Sequence, residues 1–235
     1  TIAYNTIISG WANSKSAEGG ERAQALYDRM LSDGNKYNKP NMKTMHALVL
    51  AWAKSPHGHQ NRQSSRYGVA DSGESRAGER AVRMVRRGLD DMIDAYRSGD
   101  KSMKPNVRTY TTVINAYGRS GIPGAARNAT LLLDEMEREY EETGDEDVKP
   151  NTITYTAVLD ALAWSQNDIG NEDTHDYAVT AENIFNRMIE KGVSPDIRTY
   201  NAVLNVWRNH RGDMDVGANM KRLLSQLETE ENKTL

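Results

Sequence analysis

The chain has 235 residues, 27% of them charged and 37% apolar, with a net charge of −3 and no cysteine. It is too apolar for a disordered chain, and the missing cysteine excludes disulfide scaffolds, thiolate metal sites and a cysteine nucleophile. The mild acidity gives no overall pull toward nucleic acid or a membrane surface, and no apolar run approaches the roughly 18 residues of a membrane span.

In chain order, five segments share one frame, anchored at Tyr4, Met45, Tyr110, Tyr155 and Tyr200 with spacings of 41, 65, 45 and 45 residues. From each anchor, apolar residues fall at i, i+3, i+4 and i+7. The series run Tyr4, Ile7, Ile8, Trp11; Met45, Leu48, Val49, Trp52; Tyr110, Val113, Ile114, Tyr117; Tyr155, Val158, Leu159, Leu162; and Tyr200, Val203, Leu204, Trp207. That period predicts an amphipathic helix in each unit.

A second stripe follows each first helix. It reads Ala23, Leu26, Tyr27, Met30 in the first unit and Val85, Leu89, Met92 in the second. The third has Ala129, Leu132, Leu133, Met136, the fourth Ala181, Ile184, Phe185, Met188, and the fifth Met220, Leu223, Leu224, Leu227. Pro40, Pro105, Pro150 and Pro195 close the first four units, and each is followed by Asn or Asp, a preferred N-cap.

Each unit therefore reads as helix–turn–helix. One such pair cannot bury both stripes, whereas stacked pairs form a continuous core. The expected repeats span about 1–41, 42–106, 107–151, 152–196 and 197–235. Residues 55–80 read as a flexible insertion, 141–149 as an acidic turn and 165–176 as a polar loop. Thr1 falls inside an amphipathic pattern, so the chain reads as an internal piece with any targeting peptide outside it.

The junction Pro-(Asn/Asp)-x-x-Thr-Tyr, followed by Asn-Thr-Ile-Ile or Thr-Ala-Val-Leu and then Ala-x-x-(Leu/Ile)-(aromatic/Leu)-x-x-Met, resembles the pentatricopeptide repeat. Tetratricopeptide repeats are the neighbouring alternative, but their Trp, Leu-Gly and Tyr landmarks do not line up here. The resemblance implies an all-α, right-handed superhelical solenoid of about five helix–turn–helix repeats. It implies sequence-selective binding of single-stranded RNA in a mitochondrion or chloroplast, about one base per repeat.

By resemblance, the readers are the residue after the anchor and the residue after the closing proline. They pair as Asn5 with Asn41, His46 with Asn106, Thr111 with Asn151, and Thr156 with Asp196, while Asn201 lacks its second reader. The family's pairing tendencies imply a pyrimidine for the first pair, A for the third and G for the fourth, and leave the base at His46 open. Three residues before the first readers stand Ile2, Lys43, Arg108, Ile153 and Arg198, placed to pack on a base face or reach phosphate.

Helix capping alone would explain Asn41, Asn106, Asn151 and Asp196, and a solvated helix face is the plain alternative for the other readers. Against the latter, such a face favours Lys, Glu, Gln or Arg, which are better helix formers. Charge is also segregated. Segments 1–14, 42–55, 107–120, 152–165 and 197–210 hold Lys43, Lys54, Arg108, Arg119, Arg198 and Arg208 against Asp160 alone, a net of +5, leaving −8 on the rest. Lys54 and Arg119, eight residues after their readers, are placed to contact RNA backbone.

Enzymatic readings fare badly. His57 and His59 lack a third ligand nearby, Gly121-Ile-Pro-Gly124 lacks the Gly-Lys-Ser/Thr ending of a phosphate loop, and a zinc deaminase needs cysteines. No cofactor, metal or membrane is expected, and the chain reads as a monomer. A protein-interaction scaffold, tetratricopeptide-like in use, stays open, as does a degenerate segment spacing active repeats elsewhere.

Overall fold

The computed structural model describes residues 1–14, 16, 18–33, 38–54, 72–165 and 177–209, with 54, 72–77 and 209 described only as backbone. Among these the fold is all-α. The first helices of the five units are α1 (Ile2–Asn13), α3 (Met42–Lys54), α5 (Val107–Ser120), α7 (Thr152–Ser165) and α9 (Ile197–Asn209). The second helices are α2 (Gly19–Ser32), α4 (Ser72–Arg97), α6 (Ala125–Thr143) and α8 (Tyr177–Glu190). The stripe expected at Met220–Leu227, and residues 55–71 and 166–176, lie outside the described residues.

The first helices α3, α5 and α7 each pack on their own second helix, on the preceding second helix and on the neighbouring first helices, while α1 packs on α2 and α3, and α9 on α7 and α8. Second helices meet one another far less. The first helices thus form one continuous layer, with the second helices set against its other side.

The expected stripes face the core. Tyr110, Val113, Ile114, Tyr155, Val158, Leu159, Leu162, Val203 and Trp207 are buried, as are Val85, Leu89 and Met92 of the second unit. Burial of such side chains supplies about 1.5–3 kcal/mol each before entropy is counted. In α1 Ile8 is buried and Tyr4 and Trp11 are half-buried, but Ile7 is exposed, because no helix precedes α1 among the described residues. Gly118 lets α5 approach α7: a Cβ there would sit 3.2 Å from the Ala161 Cα and 3.1 Å from the Trp164 ring.

Three loop boundaries differ from expectation. The segment 72–80, expected within the insertion, is the first part of α4. Glu74, Arg76, Ala77, Glu79 and Arg80 are good helix formers, and Gly78 is buried against α5, where a Cβ would meet the Ser120 carbonyl at 2.5 Å. Likewise α6 runs through Thr143 before a short 3-10 turn at Glu146–Val148, and Ser165 still belongs to α7. Among the described residues no helix is long and apolar enough to cross a membrane.

Candidate nucleic-acid interface

Each junction between units is built on an N-cap. Asn41, Asn106, Asn151 and Asp196 accept through Oδ1 from the backbone N–H of Thr44, Thr109, Thr154 and Thr199, at 3.1, 3.1, 3.1 and 2.9 Å. In three of the four, the threonine hydroxyl in return accepts from the cap's own N–H: Thr44 at 3.1, Thr154 at 3.4 and Thr199 at 3.2 Å. This is a threonine version of the capping box. The capping role expected from residue type is real at all four positions.

Those threonines also face backward onto the preceding first helix. The Thr44 hydroxyl donates to Asn5 Oδ1 at 2.6 Å, and Asn5 Nδ2 donates to Asn41 Oδ1 at 3.3 Å. The hydroxyls of Thr111 and Thr154 lie 3.0 Å apart, and Thr154 donates to Asn151 Oδ1 at 3.2 Å. Those of Thr156 and Thr199 lie 2.8 Å apart, and Thr199 donates to Asp196 Oδ1 at 2.9 Å. So at three of the four junctions the two expected readers belong to one hydrogen-bonded set, joined by a threonine.

Proton counting then assigns a polarity to each set. A backbone N–H can only donate, so Oδ1 of each cap Asn is turned inward and its Nδ2 outward. Asp196 has the same inward Oδ1, with Oδ2 left as an acceptor. A threonine hydroxyl has one proton. Thr199 gives its proton to Asp196, so Thr156 must give its own to Thr199 and keeps only lone pairs to offer. Thr111 likewise turns its proton inward, toward Thr154 and the Val107 carbonyl at 2.7 Å. Asn5 and Asn41 each have an amide N–H left over.

The readers differ in exposure. Asn151, Asp196 and Asn201 are exposed, and Asn5, Asn41, His46 and Asn106 are half-buried. Thr111 and Thr156 are only 8% and 6% exposed. They sit recessed in the junction, not on an open helix face, because the next first helix packs over their position.

The second junction departs from the pattern. Thr109 donates to Asn106 Oδ1 at 3.2 Å, but His46 does not join, and its Nε2 is buried with no partner. Burial first, then the neighbouring Arg108 charge, hold the His46 imidazole below the ordinary histidine value. His46, Asn5, Asn106, Lys43 and Arg108 share a cleft of about 820 Å³ between α1, α3 and the start of α5.

The cations of the first helices are available. Lys43, Arg108, Arg119 and Arg198 are exposed and form no ion pair among the described residues. The Lys54 side chain lies outside those described. Ion pairing instead runs through the second helices and turns: Arg86 with Glu135 at 3.1 Å, Arg187 with Asp134 at 2.8 Å, and Lys104 with Asp145 at 2.7 Å. Ile2 and Ile153 are exposed at 85% and 64%, and Ile2 lines the same cleft as Lys43 and Arg108. At Asp196, slight desolvation pushes the carboxyl up, but the Thr199 amide and hydroxyl, the Arg198 amide and the Arg198 charge outweigh it and hold it below the usual carboxylate value.

The sequence shows the threonines only as part of the junction motif, Asn/Asp-x-x-Thr at every junction from Asn41 to Thr199, and implies no role for them. Among the described residues no group of His, Asp and Glu could hold a metal ion. Residues 131–210 match the family model described as a pentatricopeptide repeat domain, and residues 108–140 match the model described as a PPR repeat. No curated protein matches the chain.

Proposed function

We propose that the chain, whose residues 108–210 match pentatricopeptide repeat models, binds single-stranded RNA with sequence preference, one base per junction. The family implies an RNA-binding or protein-interaction role, and its members are generally non-catalytic and typically organellar. We place this chain with the RNA binders, acting by occupancy: it holds a short stretch unpaired, shields it or presents it.

The observation that carries this reading is the joining of the two expected readers at three junctions. Their polarities fit different base edges. Thr156 and Asp196 offer acceptors only, which suits the N1–H and N2–H of guanine. Thr111 offers an acceptor and Asn151 a donor, which suits the N6–H and N1 of adenine. Asn5 and Asn41 offer donors, which suits the acceptor-rich edge of a pyrimidine. The recessed threonines require the base edge to enter the junction. Lys43, Arg108, Arg119 and Arg198, which form no ion pair among the described residues, supply phosphate contacts despite the net acidity of the chain.

The test is a titration with single-stranded RNA containing pyrimidine-N-A-G, against the same oligomer with A and G replaced by C and U. Four bases at about 1–3 kcal/mol each, less the cost of association, give weak but measurable binding. Equal affinity for the two oligomers would remove sequence reading. Binding insensitive to salt would favour a protein-interaction groove instead.

A further inference from the structure

The cap positions and first-helix positions account for the readers, but not for the buried hydroxyl that stands between them. Thr44, Thr109, Thr154 and Thr199 are all at most 1% exposed, so no base touches them. A valine would fill the same space and suit the apolar surroundings. A buried hydroxyl kept at such a place is satisfied only through the bonds it makes. Those bonds run in both directions, forward to the cap and backward to the first reader.

We propose that these threonines are positioning residues that set which reader donates and which accepts, and so determine base preference without contacting the base. The inference rests on the RNA reading above. The three linked junctions differ in how much depends on the threonine. At the fourth, Thr199 is the hydrogen-bond partner of the Thr156 hydroxyl. Without it Thr156 is free to turn its proton outward, and the set no longer excludes an acceptor edge. At the first, the Thr44 hydroxyl holds Asn5 Oδ1 inward. Without it the Asn5 amide is held only by its Nδ2 bond to Asn41 Oδ1 at 3.3 Å. At the third, Thr111 also donates to the Val107 carbonyl, so its proton stays inward even without Thr154. The second junction has the threonine but no link to His46, so its base position is the tolerant one.

The caps survive in every case, because the backbone N–H to Oδ1 bond does not involve the threonine side chain. The threonine hydroxyl therefore affects preference at one base while leaving the fold and the other bases alone.

The experiment measures affinities of the 235-residue chain for pyrimidine-N-A-G RNA, with each base in turn at the third and fourth positions, alongside thermal melting. The unsubstituted chain should prefer A at the third position and G at the fourth. Thr199→Val should lower the G-over-A preference at the fourth position roughly tenfold, the scale of one lost hydrogen bond. Thr199→Ser should keep it. Thr154→Val should leave the third-position preference within about twofold, because Thr111 keeps its second acceptor. Both valine variants should melt slightly and similarly lower.

A merely structural role would make Thr154→Val and Thr199→Val nearly equivalent, since both sites are fully buried and keep the same backbone N–H to Oδ1 cap bond, to Asn151 and Asp196 respectively. Equal effects of the two on base preference, or an unchanged preference in Thr199→Val, would overturn the inference while leaving RNA reading intact. No preference in the unsubstituted chain would instead remove the RNA reading, and this inference with it.

Discussion

The Tyr155 hydroxyl donates to Glu137 Oε1 at 2.5 Å, tying the first helix of the fourth unit to the second helix of the third. Glu137 is itself buried and lies 3.3 Å from the Arg187 guanidinium on α8. Three helices from two units thus meet on one carboxylate, which stabilises the stack. Tyr155→Phe leaves that carboxylate short of one donor and should cost about 1–3 kcal/mol. Thermal melting should fall by several degrees with base preference unchanged; an unaltered melting temperature would show that the bond contributes nothing net.

At Gly118, α5 closely approaches α7. Alanine is the better helix former by about 1 kcal/mol. Its Cβ would press on backbone at Ala161, which cannot swing aside as a side-chain tip can. Overpacking of this kind costs about 1–3 kcal/mol, so Gly118→Ala should lower the urea midpoint. A raised midpoint would mean that the helices separate easily.

Arg108 is exposed, without an ion pair among the described residues, and borders the cleft that holds His46 and Asn106. If it contacts phosphate, Arg108→Ala should weaken every RNA alike and reduce the slope of log affinity against log salt by about 0.7. A change in base preference with the slope intact would assign Arg108 to base contact.

His46 should make stability fall on mild acidification. Its folded-state value lies below the ordinary value of about 6.5, so the unfolded chain takes up the proton first. The contribution is fully present above the ordinary value and is lost as pH falls through the interval down to the depressed one, with no further loss below. His46→Gln should therefore show a smaller drop than the unsubstituted chain across that interval in urea titrations at stepped pH. Parallel curves would show that the imidazole is as easily protonated in the fold as out of it.

Much of this architecture was legible in the period of the apolar residues. The stripe through Tyr110, Val113, Ile114 and Tyr117 needs only a 3.6-residue repeat to be recognised, and Asn106 as a cap needs only its residue type before that stripe. The beginning of α4 was not legible, because Ser72 to Arg80 is polar enough to pass for a loop. What makes it helix is support from a distant segment, the end of α5 at Ser120.

The sequence by itself determined the helix pairs, their register and the residue types at each junction, because these depend on local period and on capping chemistry within a few residues. Only the tertiary structure decided that Thr44, Thr154 and Thr199 reach back to Asn5, Thr111 and Thr156, that Thr111 and Thr156 are recessed, and that His46 stands apart. The physical reason is that a hydroxyl has one proton. Where that proton goes depends on which acceptor the neighbouring helix brings within about 3 Å, and that is settled by packing between units some forty residues apart.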